Sequence, residues 1–260
     1  MRYLTAIALV AGCVPAFAWG PEGHRLVARI AWEQLTPAVR ERVAAILAPD
    51  QTLPSIASWA DEIRRARPDT APWHYIDIPI EKSHLDMTRD CAKGDCVIAK
   101  IPEMRKTLQD PAATAIQKRE ALMFLVHMVG DMHQPLHCSD HEDRGGNSVR
   151  VIFFDKQSNL HSVWDSGLIG RLPNEEELFP ELSRTAAQHA KKWSKGTVEG
   201  WAEQSHKVAQ KLVYGKLPKV ADGTPVPLDA TYETLADPAI KLQIERAGDR
   251  LAKVLNETLR

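Results

Sequence analysis

The chain has 260 residues, 44% of them hydrophobic and 26% charged, a globular composition that excludes a disordered or fibrous protein. Its 33 basic and 34 acidic residues leave a formal charge of −1, so bulk electrostatics will not gather nucleic acid or anionic lipid. Any phosphate must be held by a local site, and no apolar run is long enough to span a membrane.

Residues 1–18 read as a secretory signal: Arg2 is the positive start, Tyr3 to Val14 the apolar stretch and Ala16-Phe-Ala18 the cleavage site. Cleavage after Ala18 makes Trp19 the first residue of one domain, 19–260, in a secreted or periplasmic protein with no stable membrane association. A rival processing site is Leu9-Val-Ala-Gly-Cys13, which fits a lipobox with Cys13 as the lipidated residue.

Helices are expected over Gly23 to Gln34 and over Pro37 to Leu47, the second led by Thr36 as N-cap. A third is expected from Leu53 to Arg65, with Asp61 and Arg64 one turn apart and Pro68 and Pro72 beyond it. Trp73 to Ile78 alternates as a short extended segment, and residues 81–99 read as a polar loop. Pro102 to Leu108 and Ala113 to Gln134 are helical, and Asp140 to Gly146 is a loop. Asn147 to Phe154 is the clearest strand, hairpinned through Asp155–Asn159. Glu175 to Phe179 is at most a turn before Pro180, followed by helices over Ser183 to Trp193 and Val198 to Tyr214. Gly215 to Pro227 is irregular, and Ile240, Ile244, Ala247, Leu251 and Leu255 form the stripe of a last helix. The pattern is one mainly α domain with a small β-hairpin.

The stretch Ala121 to Gln134 is apolar almost all round, which marks a helix buried in the middle of a domain. His127 and Asp131 nevertheless share one face of it at i, i+4. A buried lone carboxylate costs several kcal/mol, so it must be paired, protonated or bound to a cation. No Lys or Arg lies between Glu120 and Asp143, and Pro135 lets His137 leave the helical register. One such pair taken alone is more often a simple hydrogen-bonded pair than a metal site. The spacing recurs, however, in His161-Ser-Val-Trp-Asp165, which favours metal ligation by imidazole and carboxylate, zinc first and then other divalent ions.

Of the four cysteines, Cys13 goes with the signal. Cys91 and Cys96 flank a short segment and can close a small disulfide loop in an oxidising compartment. Cys138 is left odd and reads as a buried free thiol rather than a zinc thiolate. His84, His141, His189 and His206 read as solvated, and His133 faces away from Asp131.

Six motifs stand in order along the chain: Trp19-Gly with Gly23-His24, Trp59-Ala-Asp61, Trp73-His74-Tyr75, His127-x3-Asp131-x-His-Gln-Pro-Leu-His137, Gly145-Gly-Asn147, and Asn159-Leu-His161-x2-Trp164-Asp165. Together they resemble the zinc-dependent single-strand nucleases of the nuclease I family, the mung bean or S-one/P-one type. The resemblance implies a compact multi-helix fold shared with zinc phospholipase C, and a cluster of three zinc ions. One zinc would take Asp61, His74 and His127 and share Asp131 with a second, which takes the amine and carbonyl of Trp19 plus His24. The third would take His137, His161 and Asp165. Three Zn²⁺ against three carboxylates leave a local charge of about +3, an anion trap for a phosphodiester. By the same resemblance Asp61 orients or deprotonates the attacking water and Arg64 stabilises charge on the phosphate. Tyr75, Asp77, Gly145 and Asn147 match the positions that hold a nucleobase, Tyr75 stacking it and Asp77 and Asn147 bonding its edge; stacking requires an unpaired base, hence single-stranded RNA or DNA as substrate. Cys91 and Cys96 match one family disulfide. The implied enzyme is a monomeric endonuclease and 3′-nucleotidase leaving 5′-phosphates.

Two other readings compete. A zinc phospholipase C shares the fold and the N-terminal Trp, but that family tends to place Glu at the position of Asp165 and lacks the Gly-Gly-Asn loop. A zinc-storage module would leave Arg64 and the base-site residues without a role.

Overall fold

The computed structural model describes residues 19–260, so the signal sequence and the lipobox at Cys13 lie outside the described residues. The first half runs α1 (Pro21–Glu33), α2 (Pro37–Ile46), α3 (Trp59–Ile63), a 3₁₀ segment (Pro68–His74), α4 (Met87–Asp90), α5 (Val97–Gln109) and α6 (Ala115–Asp131). A 3₁₀ turn (Pro135–Cys138) then leads to β1 (Arg150–Phe153), β2 (Lys156–Asn159), α7 (Leu160–Ser162) and a π turn (Val163–Gly167). The last third is α8 (Glu175–Trp193), α9 (Val198–Val208), a second π turn (Ala209–Val213), β3 (Val226–Leu228) and α10 (Ala230–Thr258).

Helix α6 is the axis of the molecule. Its start is sealed by a capping box: Thr114 Oγ1 accepts from Gln117 N at 3.2 Å, while Gln117 Oε1 accepts from Thr114 N at 2.9 Å. From Ala121 to Asp131 every residue is buried, because α1, α3, α5 and α10 close round it. The apolar circumference read from the sequence is therefore buried on all sides, and this is why the two polar residues His127 and Asp131 can sit in the interior only with partners. Helix α10 crosses α1 closely enough at Gly248 that a Cβ there would overlap the Ile30 side chain.

Three helices run through prolines, of which the sequence reading took Pro102 as a start and Pro180 as a break and made nothing of Pro238. Pro102 lies inside α5, Pro180 inside α8 and Pro238 inside α10. Each interior proline costs about 3 kcal/mol of local helix stability. Buried anchors on either side, such as Leu178 and Leu182 around Pro180, outweigh it. The opposite error occurs at 53–65, where only α3 is helical. Thr52 and Ser55 exchange side-chain-to-backbone hydrogen bonds of 2.8 and 3.2 Å, which compete with the helical pattern ahead of it. Trp73 and His74 likewise end a 3₁₀ segment instead of starting a strand. The polar loop 81–99 contains α4, capped by Asp86, and the first turn of α5.

The hairpin is tighter than expected. Phe154 and Asp155 form its two-residue turn at φ 45° and 65°, so residues 156–159 are strand β2 instead of connection. Val226–Leu228, inside the stretch read as irregular, pairs parallel to β1 and completes a sheet of order β2-β1-β3. Cys91 and Cys96 form a disulfide. Cys138 is a buried thiol donating to Met132 O at 3.2 Å.

Two histidines differ in environment from the rest. His206 is fully buried, contrary to expectation, pairing Nε2 with Lys82 O at 2.8 Å and Nδ1 with Ser139 Oγ at 2.7 Å. His133 turns toward α10: its Nδ1–H donates to Val129 O at 2.7 Å and its Nε2 accepts from the buried Arg250 at 2.8 Å.

Helix α10 also buries Glu245, whose pKa burial pushes up from 4.5 to about 7, with Glu181 and Asp249 adding to the rise. A carboxyl raised on folding disfavours the native state once ionised, so stability is lost as pH climbs from 4.5 through 7. Glu245→Gln is expected to add about 1–2 kcal/mol at pH 8 and nothing near pH 4.5. Thermal melts at the two pH values check this; an equal gain at both would assign the effect to packing.

Candidate metal centre

Asp131 ends α6 with no exposed surface, and three imidazoles converge on it. His24 Nε2 lies 3.2 Å from its Oδ1, while His74 Nδ1 and His127 Nε2 lie 2.9 and 3.2 Å from its Oδ2. Asp61, the third residue of α3, brings a second carboxylate: Oδ1 is 3.7 Å from His74 Nδ1 and Oδ2 is 3.6 Å from His127 Nε2. Beside these, the α7 and π-turn segment carries His161 and Asp165, 3.1 Å apart, and His137 Nε2 stands 3.9 Å from Asp165. Three groups can therefore each hold a metal ion: His24 with His127 and Asp131, Asp61 with His74 and His127, and His137 with His161 and Asp165. Every expected side-chain ligand falls in one of them. The grouping differs in one respect: His24 stacks on His127 at 4.0 Å, so His127 faces both of the first two groups. Trp19, the remaining expected ligand, is buried, and the next residue ties that end of the chain down through Gly20 N–H to Asp165 O at 2.6 Å.

The backbone sets the imidazole tautomers. Nδ1–H of His127, His137 and His161 donates to Ala57 O, His74 O and Gly145 O, each at 2.7 Å. In the neutral ring each Nε2 is then a lone pair aimed into the cluster, the arrangement that zinc-ligating histidines need. His74 links the groups, its ring in the second and its carbonyl orienting a ring of the third. Burial pulls His137 down to about 3, so it is a neutral donor at working pH. Without a bound ion His127 is charged: burial would lower it, but Asp131 and Asp61 raise it to about 9. Burial would likewise raise Asp131, but that His127 charge and imidazole hydrogen bonds hold it well below the usual carboxylate range, so a cation bound here displaces the His127 proton.

These residues fit a cation. Buried Nε2 atoms of His24, His74 and His137, Oδ1 of Asp61 and Asp131 and Oδ2 of Asp165 make no hydrogen bond. Each such atom costs about 1–3 kcal/mol when unsatisfied, an unusual concentration for one interior region. Mixed imidazole and carboxylate donors suit zinc.

Arg64 follows α3 and approaches Asp61 Oδ1 to 3.6 Å. Its charge also acts on His161 and on the Tyr75 phenol, which puts it between the ligand groups and the expected base site. That site is built by a ribbon: Ile76 N–H donates to His137 O, Ile80 N–H to Asp140 O and Asp140 N–H to Ile78 O, at 2.8, 2.8 and 2.9 Å. Tyr75 and Asp77 line a cavity of about 350 Å³ closed on its far side by the Cys91–Cys96 loop. Burial, together with Asp140 and Asp90, pushes Asp77 up to about 6. Gly145 and Asn147 stay on the adjoining loop: the Gly145 carbonyl orients His161, and Asn147 Nδ2 donates to Arg144 O at 2.9 Å. A larger cleft of about 580 Å³, lined by Arg42, Lys118 and Arg260 among others, holds none of these residues.

Two positions escaped the sequence reading. Gln134 donates from Nε2 to Asp165 Oδ1 and accepts Leu136 N–H on Oε1 at 2.6 Å, which orients the ligand carboxylate. Gly130 leaves room for His24, whose ring lies where its Cβ would be, 2.7 Å from that point. A glycine inside so strong a helix costs about 1 kcal/mol relative to Ala, and this was the available signal.

A mainly helical domain enclosing three histidine–aspartate groups that could each hold an ion defines the class of protein. Comparison narrows it: the S1/P1 Nuclease family matches residues 19–260, and the chain belongs to that family. It is accordingly a nuclease, a hydrolase acting on nucleic acid. It is 32% identical to Nuclease P1 of Penicillium citrinum over 92% of this chain and 97% of the relative. To Endonuclease 2 of Arabidopsis thaliana it is 30% identical, over 92% and 89%, and to Nuclease S1 of Aspergillus oryzae 28%, over 92% and 91%.

Proposed function

We propose that the chain is a secreted or periplasmic, zinc-dependent endonuclease. It hydrolyses single-stranded RNA and DNA at P–O3′ to leave 5′-phosphates and also removes 3′-phosphates from nucleotides. The observation that carries this reading is the convergence of three His/Asp groups, with unpartnered buried donor atoms, near Arg64 and a cavity lined in part by Tyr75 and Asp77. In the proposal residues 1–18 are removed, and the Trp19 amine and carbonyl join His24 and Asp131 around one ion. Asp61, His74, His127 and the shared Asp131 hold a second, and His137, His161 and Asp165 a third. Zinc held there would supply Lewis acidity toward a phosphodiester and bring a water to a near-neutral pKa.

The protein's own groups do the rest. Asp61, acceptor-only when ionised, takes the proton of the attacking water. Arg64 neutralises charge that builds on the phosphate oxygens, and its reach toward both Asp61 and Tyr75 supports that placing. Tyr75 stacks an unpaired base, and Asp77, poised near neutrality, bonds its edge. The Gly145-Gly-Asn147 loop beside the ligands speaks for a nucleic acid over a phospholipid headgroup.

The test is native mass spectrometry of the secreted chain, followed by dialysis against a strong chelator. Expected are a chain starting at Trp19 with three zinc ions, and RNA cleavage that disappears with the metal and returns with added zinc. Cleavage of RNA that survives complete removal of metal would overturn the proposal.

A further inference from the structure

Building on the proposed zinc nuclease, we infer that Tyr214 is a positioning residue: its hydroxyl latches the loop that orients His161 and borders the base site. The loop 140–147 is conformationally expensive. Glu142, Arg144, Gly145 and Gly146 all have positive φ, at 57°, 61°, 60° and 81°, and two of the four carry side chains. Such a backbone persists only if its surroundings hold it. Asp140 Oδ1 accepts from Asp143 N at 3.2 Å and Gly145 N at 2.9 Å, and Asp143 Oδ1 accepts from Gly146 N at 2.7 Å. These bonds are all internal to the loop.

The hold on Asp143 from elsewhere in the molecule comes from Tyr214. Its hydroxyl lies 3.0 and 2.9 Å from the two oxygens of the Asp143 carboxylate, across 71 residues of sequence. Tyr214 reaches it because the α9 helix widens into the π turn Ala209–Val213, which closes with Tyr214 N–H on Ala209 O at 3.0 Å. Interruptions of this kind cluster at functional sites because they re-aim one side chain. From Asp143 the path to the chemistry is short. Gly146 N–H is held by Asp143, and the neighbouring Gly145 carbonyl is the acceptor that fixes the His161 ring at 2.7 Å. The same loop carries Asn147 and Arg144, whose charge acts on Tyr75. A single hydroxyl thus braces both a ligand ring and the rim of the base site, while touching neither.

The variant is Tyr214→Phe in the full holoprotein, which keeps the ring against His141 and removes only the hydroxyl. Amide exchange at Gly145–Ser148 is expected to speed about tenfold, and one zinc should be lost at a chelator concentration about tenfold lower. KM for a single-stranded oligonucleotide should rise about tenfold, with kcat within threefold of the parent. A variant that melts lower but exchanges, binds zinc and cleaves like the parent would show a packing contact only and overturn the inference. Zinc content and RNA cleavage of the parent, measured alongside, test the proposed function separately; amide exchange judges the latch even if those fail.

Discussion

Asp131→Asn is expected to strip two of the three proposed zinc ions from the protein and to lower RNA hydrolysis by about a thousandfold or more. The carboxylate is the one group that faces His24, His74 and His127 together, at 3.2, 2.9 and 3.2 Å. Asparagine keeps the volume but removes the negative charge and one acceptor oxygen, on which the facing imidazoles and any bound cation both rely, in a region closed to water. Removing one partner of a buried charged cluster costs about 3–5 kcal/mol, so the metal-free variant should also melt earlier. The third group does not use Asp131, and its ligands are oriented by His74 O, Gly145 O and Gln134. One zinc should therefore remain. Native mass spectrometry reads the number directly. Retention of all three ions would mean that Asp131 is a structural acid and that the ligand set has been misassigned.

Gly130→Ala is expected to weaken binding of the proposed zinc at His24 and lower activity by about a hundredfold, with a net loss of stability of up to about 2 kcal/mol. Two effects oppose each other. Alanine in a helix interior is favoured over glycine by about 1 kcal/mol. Against that, the new methyl would sit 2.7 Å from His24 Nδ1 and 2.9 Å from Cε1, inside van der Waals contact. The ring cannot retreat on its other side, where it stacks on His127 at 4.0 Å. Overpacking of this kind costs about 1–3 kcal/mol, more than the propensity gain, so the sign is set by the clash. Zinc titration followed by calorimetry tests it; a variant that is more stable and fully loaded would mean that His24 has room to move.

How far the sequence could be read depended on the range of each interaction. His127 with Asp131 and His161 with Asp165 were legible because helix pitch alone sets residues four apart on one face. Their apolar surroundings made the cost of leaving them unpaired legible too. Asp61, His74 and Arg64 became legible only by resemblance, since nothing local to Trp59–Arg64 or Trp73–Tyr75 says what they face. The boundaries failed where local rules met tertiary packing: Pro102 was read as a start and Pro180 as a break, yet buried neighbours carry the helices through both, as they do through Pro238. β3 was missed because three residues in a proline-rich stretch have no pattern of their own and become a strand only by lying along β1.

The residue types, their order and their spacing by themselves determined the two buried His/Asp pairs at 127/131 and 161/165, the buried central helix and a mainly helical domain, since those follow from periodicity and from the cost of burying charge. Tertiary structure alone decided which carboxylate the imidazoles share, which nitrogen each presents, and that Gly130, Gln134 and Tyr214 serve the site. Those outcomes rest on contacts between chain segments far apart, such as His127 with Ala57 and His137 with His74, separated by 70 and 63 residues. A carbonyl becomes the partner of a given imidazole only when packing brings their backbones together, and no local pattern encodes that distance.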